Sequence, residues 1–202
     1  MAGADPGMPV RLVTGLGNPG REHASTRHNA GFWFAEALAS RLGAGFRSEG
    51  KFHGLLAKAT GDLRLLMPAT YMNLSGRSVA AAVHFFGIAP EEILVVHDEL
   101  DLLPGEAKLK FGGGIAGHNG LRDIAEKLGT KDFWRLRLGI GHPRDSGVPQ
   151  QDVADYVLAP PAGSDAKAIE AAIDRALDAW PAIVAGEFER AMLLLHTKKE
   201  KP

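Results

Sequence analysis

His28 is the side chain with the strongest claim to chemistry in this sequence, because of the residue types that accompany it. It lies in Thr26-Arg27-His28-Asn29-Ala30-Gly31, a polar run that follows a glycine turn. An imidazole titrates near neutral pH and can take a proton from water. A nearby carboxylate fixes its tautomer and stabilises the cation that forms. Asp98, in His97-Asp98-Glu99-Leu100-Asp101, is the candidate partner. Asn18, Asn73 and Asn119 add three amides, each both donor and acceptor, suited to holding a substrate carbonyl and amide N–H. Taken singly, each asparagine can equally be an Asx turn or a helix cap, and Asp98 an ordinary loop acid. Other hydrolytic chemistries are poorly supplied. There is no Gly-x-Ser-x-Gly and no cysteine, so neither a serine elbow nor a thiol nucleophile is signalled. His97, Asp98, Glu99 and Asp101 could ligate a cation, but without a His-Glu-x-x-His helix they read as a solvated acidic loop. A water nucleophile with a histidine base fits what is present, and no metal or cofactor is expected.

These residues are useful only if the chain brings them to one place, and the pattern of elements predicts where. Val10 to Thr14 is β-branched and apolar and reads as a first strand, broken by Gly15-Leu16-Gly17-Asn18-Pro19-Gly20. Phe34, Leu38 and Leu42 then recur at spacing four, so a helix begins near His28 and stops before Gly43 or Gly45. Lys51–Thr60 and Leu63–Met67 flank Gly61-Asp62 as a hairpin. Thr70 to Gly76 is a polar bend leading into a helix with Val79, Val83 and Phe86, closed by Gly87. Ile93 to Val96 is a continuous apolar run, the mark of a strand covered on both faces. Glu106 to Phe111 alternates, with Lys108 and Lys110 on one face. Gly112 to Gly120 is glycine-rich and precedes a helix with Leu121, Ile124, Ala125 and Leu128. Phe133 to Ile140 reads as half-buried, with Arg135 and Arg137 on its polar face. Residues 141–152 read as a mobile surface loop, followed by an amphipathic helix that Pro181 kinks or restarts. Strands alternating with helices give an α/β domain with a mostly parallel sheet and an antiparallel portion. Asn18, His28, Asn73, Asp98 and Asn119 then fall in connections at the carboxyl edge of the sheet, where open α/β sheets bind ligands.

Gly15-Leu16-Gly17-Asn18-Pro19-Gly20 also has the spacing of the dinucleotide-binding fingerprint. Pro19 removes an N–H the pyrophosphate would need, helix is delayed beyond Arg21 to Ser25, and no acidic residue follows at the end of a second parallel strand. The simpler reading is a glycine turn. Whole-chain properties narrow the class further. At 202 residues and 45% hydrophobic composition, the chain suits one large domain. Residues 1–8 read as a flexible extension, 9–196 as the domain and 197–202 as a flexible tail. No targeting segment or membrane span is indicated. The 23 basic and 24 acidic residues nearly cancel, which argues against coating nucleic acid through bulk charge. Between Lys108 and Arg144, however, eight basic residues face only Asp123, Glu126 and Asp132. Lys108, Lys110, Arg135 and Arg137 could clamp a phosphate, although a solvated strand face has the same pattern. With few aromatics there, contact would be to phosphate rather than to bases. A non-catalytic RNA-binding module is the competing class.

The stretches Val13 to Gly20, Thr26 to Gly31, Thr70 to Gly76, His97 to Asp101 and Gly117 to Leu121 together resemble the bacterial-type peptidyl-tRNA hydrolase family, in order and spacing, from residue 10 to about 143. The resemblance implies a single three-layer α/β/α domain with a mixed, mostly parallel sheet. It also implies a monomeric, metal-independent cytoplasmic esterase that cleaves the peptide from tRNA. On the matching positions, His28 is the general base, Asp98 its orienting partner, and Asn18 the residue that helps distinguish blocked from free aminoacyl groups. Asn73 and Asn119 bind the peptide main chain or stabilise the oxyanion, Tyr71 and His118 line the cleft, and Lys108, Lys110 and Arg137 hold the tRNA 5′ phosphate region. Two departures stand out. His23 replaces a common tyrosine and adds a titratable group near the site. Ile115-Ala116 replaces a more usual His-Gly.

Overall fold

A computed structural model describes residues 7–196. The chain runs β1 (Leu12–Gly15), α1 (Ala30–Arg41), β2 (Arg47–Glu49), β3 (Gly54–Lys58), β4 (Arg64–Pro68), α2 (Ser75–Phe86), β5 (Ile93–Glu99), β6 (Ala107–Phe111), α3 (Asn119–Leu128), β7 (Trp134–Gly139), α4 (Val153–Val157), α5 (Gly163–Asp178), α6 (Trp180–Val184) and α7 (Phe188–His196). The seven strands form one sheet in the order β2-β3-β4-β1-β5-β7-β6. Strands β4, β1, β5 and β7 are parallel neighbours, whereas β3 and β6 pair antiparallel with theirs, so five strands point one way and two the other.

Alternation along these strands divides the core in two. Val13, Leu65, Leu94, Val96, Leu136 and Leu138 meet Phe34 and Leu38 of α1 and Ile173, Trp180 and Phe188 of the C-terminal helices. Leu12, Leu66, Ile93 and Val95 point the other way, onto Val79 of α2 and Leu121 and Ile124 of α3. The result is helix, sheet, helix: three layers with both sheet faces covered. All seven residues of β5 are buried for this reason.

Several sequence expectations are refined by this packing. The hairpin is present, but β3 starts at Gly54, because 50–52 form a 3-10 turn and His53 turns left-handed at φ 49°. His97, Asp98 and Glu99 belong to β5 itself, not to a loop beyond it. β7 is not half-buried. It sits between β5 and β6, and Arg135 is only 2% exposed. Residues 1–6 and 197–202 of the expected extension and tail lie outside the described residues. Gly7 and Met8 lie within them, and their carbonyls pack so closely on Gly186 that a Cβ there would meet them at 2.7–2.8 Å. No helix among the described residues is long and apolar enough to cross a membrane.

Candidate active site

Two glycines set the site's depth. Gly31, in the first turn of α1, lies directly on the backbones of β1 and β5: a Cβ there would run into the Val96 carbonyl and come within 2.5 Å of the Leu16 nitrogen. A Cβ on Gly15 would in turn strike the Gly31 carbonyl. Only residues without side chains permit this approach. It brings the 3-10 turn Arg27–Asn29, and with it His28, against the end of β5. His28 Nδ1 then lies 3.0 and 2.9 Å from the two Asp98 carboxylate oxygens.

Asp98 has a second imidazole partner. His118 Nε2 is 2.9 Å from Asp98 Oδ1. An ionised carboxylate only accepts hydrogen bonds, so both rings must donate to it. This assigns the tautomers. Neutral His28 carries its proton on Nδ1 and its lone pair on Nε2, while His118 keeps its lone pair on Nδ1, which accepts weakly from Leu121 N at 3.4 Å. His97, next along β5, is buried and neutral. Its Nδ1 donates to the Asp98 main-chain carbonyl at 2.8 Å, and Arg135 Nη1 lies 3.4 Å from its Nε2. Charges follow the same logic. Burial alone would raise the Asp98 carboxyl, but His28 and His118 outweigh it and hold the group well below the usual carboxylate range. Burial alone would lower His28, but the Asp98 charge and hydrogen bond raise it above its ordinary 6.5. Burial, with His118 nearby, pushes His97 well below that value.

The asparagines are held by different means. Asn18 Oδ1 accepts from Met72 N at 2.7 Å. Its main chain is clamped by Asn29, whose Oδ1 accepts from Asn18 N at 2.9 Å and whose Nδ2 donates to Asn18 O at 3.0 Å. With Oδ1 committed, the Asn18 Nδ2 is the part available as a donor. Asn73 is exposed in the 3-10 turn Met72–Leu74, and Asn119 opens α3 after the N-cap His118. Asn18, Asn73 and Asn119 line one open cleft of about 700 Å³ with His28, Asp98, His118 and Tyr71. Tyr71 is 64% exposed.

His23 does not join this cleft. It sits in an earlier 3-10 turn, and its Nε2 faces Glu22 at 3.9 Å. The glycine turn is not a dinucleotide site, since α1 begins ten residues after Gly20 rather than inside the glycine run. Lys108 and Lys110 lie on the edge strand β6, in register with Arg137 and Arg135 of β7. The four cations share a face, but two are already engaged. Arg135 Nη2 donates to the carbonyls of Gly112 and Gly114 at 3.0 and 2.9 Å, pinning the glycine loop whose residues 115–117 border the cleft. Arg137 Nε pairs with Glu99 Oε2 at 2.9 Å and remains partly exposed.

The cleft also contains residues that sequence reasoning missed. Glu99, His142 and the α4 wall of Val153, Ala154 and Val157 line it, followed by Leu158. Glu99 stands in the His97–Asp101 run already singled out, and the Gly-His-Pro turn at 141–143 is a further local signal, whereas α4 carried none. Donor atoms of His28, Asp98 and His118 lie within 4.8 Å of one another, so among the described residues these three could hold a cation if the imidazoles gave up their shared protons.

The fold and site define an α/β domain with a histidine–carboxylate pair at the bottom of an open cleft on the sheet's carboxyl edge. Comparison with known proteins makes this specific. The family described as peptidyl-tRNA hydrolase matches residues 12–202. A peptidyl-tRNA hydrolase of Nitrosospira multiformis is 52% identical over 194 residues, covering 95% of this chain and all of that protein. One from an Azoarcus species is 53% identical over 191 residues, covering 94% of this chain and 86% of the other. The crystal structure of peptidyl-tRNA hydrolase from Acinetobacter baumannii superposes with a TM-score of 0.88 at 46% identity, over 94% of this chain and 96% of that one. The chain belongs to the peptidyl-tRNA hydrolase family and is an enzyme of that kind.

Proposed function

We propose that this enzyme hydrolyses the ester between a peptide and the 3′-terminal ribose of tRNA, with His28 as general base on water and Asp98 as its orienting partner. The observation that carries the reading is the contact of His28 Nδ1 with both Asp98 oxygens, which leaves the Nε2 lone pair for the cleft. As the water oxygen attacks the ester carbonyl, Nε2 takes the water proton. The imidazolium is stabilised by the Asp98 carboxylate, and its proton then goes to the departing ribose oxygen. The acid's remaining proton passes to solvent, and the products are a peptide carboxylate and tRNA with its hydroxyl restored. Donors on the developing oxyanion come from the asparagine set, and Asn18 Nδ2, fixed by the Met72 and Asn29 contacts, suits the carbonyl of a blocked amino group. Tyr71 and His118 border the acyl group. Lys108 and Lys110, with Arg137 beside the cleft, hold tRNA phosphate. No cofactor takes part. The same reading takes the enzyme as a monomer acting in the cytoplasm.

The test is release of the acyl group from N-blocked and from free aminoacyl-tRNA, with chelator present. Rapid release from the blocked substrate alone is expected. Tight binding of both without release would favour an RNA-binding module and reduce His28 to a structural residue.

A further inference from the structure

Arg27 is nearly buried, at 8% exposure, and among the described residues it has no carboxylate partner at ion-pair distance. A buried guanidinium without a counter-charge needs another compensation. Here its side-chain hydrogen bonds all come from one segment, while Nε is buried without a partner among the described residues. Nη1 donates to the carbonyl of Tyr156 at 3.0 Å and of Ala159 at 3.2 Å. The guanidinium lies 3.9 Å over the Tyr156 ring. The Arg27 main-chain N–H also donates to Ala159 O, at 3.1 Å. The Tyr156 hydroxyl continues the chain of contacts to Ile140 O at 2.7 Å, at the end of β7. Every side-chain partner of Arg27 among the described residues thus belongs to α4 or the turn after it, the segment that forms one wall of the cleft. The neighbouring residue in sequence is His28.

From this geometry we infer that Arg27 is a positioning residue: it docks the α4 wall at a fixed distance from His28 and so sets how tightly the cleft holds the substrate's acyl group. The inference rests on the hydrolase reading of the cleft. Val153 and Val157 of α4, with Leu158, offer apolar surface to whatever lies beside His28, and α4 has only five residues, too few to hold itself. A wall that binds ground and transition states alike acts on KM and leaves kcat almost untouched.

The experiment combines steady-state kinetics on N-blocked aminoacyl-tRNA with hydrogen exchange in the full chain. Arg27→Ala is expected to raise KM about tenfold or more, the scale of losing a cation–π contact and two charge-assisted hydrogen bonds. Its kcat is expected to stay within about threefold, with the acidic limb of its pH profile where the parent has it, because the His28–Asp98 pair is untouched. Amide protection should fall selectively at residues 153–159. Arg27→Lys should keep part of the affinity that Arg27→Ala loses, and Tyr156→Phe, which keeps the ring under the guanidinium, should keep most of the parental affinity. If Arg27→Ala does not fold, Tyr156→Leu cuts the same link from the other side and should reproduce the KM rise. Unchanged protection at 153–159, or a fall in kcat at constant KM, would overturn the inference. A parent without hydrolytic activity would sink the hydrolase reading, while the exchange measurement would still decide whether Arg27 holds α4.

Discussion

Replacing Asp98 with asparagine changes one atom's chemistry and leaves the size of the side chain alone, so its effect isolates the carboxylate. Asp98 accepts from two rings: His118 Nε2 and His28 Nδ1 both approach Oδ1, and Oδ2 faces His28 Nδ1 at 2.9 Å. An amide has one acceptor. With its oxygen kept by His118, its NH2 group falls opposite His28 Nδ1, where two donors meet. The imidazole resolves this by moving its proton to Nε2, so that Nδ1 accepts, and the lone pair that should face water disappears. A wrong tautomer of this kind costs a serine-protease triad about 10,000-fold in kcat, and the same order is expected here, about 5.5 kcal/mol of barrier. KM should stay near the parental value, because the substitution touches no group proposed to bind tRNA. The pH profile gives an independent readout. As the proposed base His28 must be neutral to act, and Asp98 raises its pKa above 6.5, so the parent's activity is expected to rise with pH through a value above 6.5. Without the charge, that limb moves to lower pH. Single-turnover release of a labelled N-acetylaminoacyl group from tRNA, followed from pH 5 to 9, measures both effects. A loss under about tenfold, or a limb that stays in place, would refute the tautomer reasoning.

The remaining predictions concern the basic face, the buried histidine and the helix approach. Lys108→Ala and Lys110→Ala should each reduce the slope of log affinity against log salt by about one, measured by tRNA binding from low to moderate salt. Equal slopes in the parent and both variants would place the tRNA elsewhere. Arg137→Ala should in addition destabilise the fold by about 1–3 kcal/mol in denaturant titration, because it strands the buried Glu99 carboxylate. His97 is depressed in the folded state, so the unfolded chain binds the extra proton below pH 6.5. Stability should therefore fall as pH drops from about 6.5, by up to about 1.4 kcal/mol per unit, until the folded pKa is reached, and His97→Asn should flatten that dependence. His28, raised, acts in the opposite window: its contribution is complete below 6.5 and is lost as pH rises through its folded value. Gly31→Ala should lose both stability and activity, since a methyl group against the Val96 carbonyl drives the His28 turn away from Asp98. A well-folded, fully active Gly31→Ala variant would show that the close approach is not required.

Much of this protein was legible in one dimension. Strand alternation and the hydrophobic runs reported the sheet and its hairpin, and residue types singled out His28, Asp98 and the three asparagines that the fold brings to one cleft. Those signals are local: period, turn chemistry and side-chain reactivity are written within a few residues of one another. What covers each face was decided only by the fold. Arg135 and Arg137 follow the same alternation in sequence, yet one is sealed under the glycine loop and the other faces a glutamate, because β7 lies inside the sheet and not at its edge. His23 and His118 were both expected near the cleft, and only the turn geometry separates them. Arg27 stood in the run singled out around His28, but nothing local signalled its role, since its partners stand about 130 residues away. His28 and Asp98 are 70 residues apart, and their meeting depends on two glycines that let a helix rest on bare backbone. Sequence specifies which groups are present; the distances that turn them into a site come from long-range packing, which no local pattern encodes.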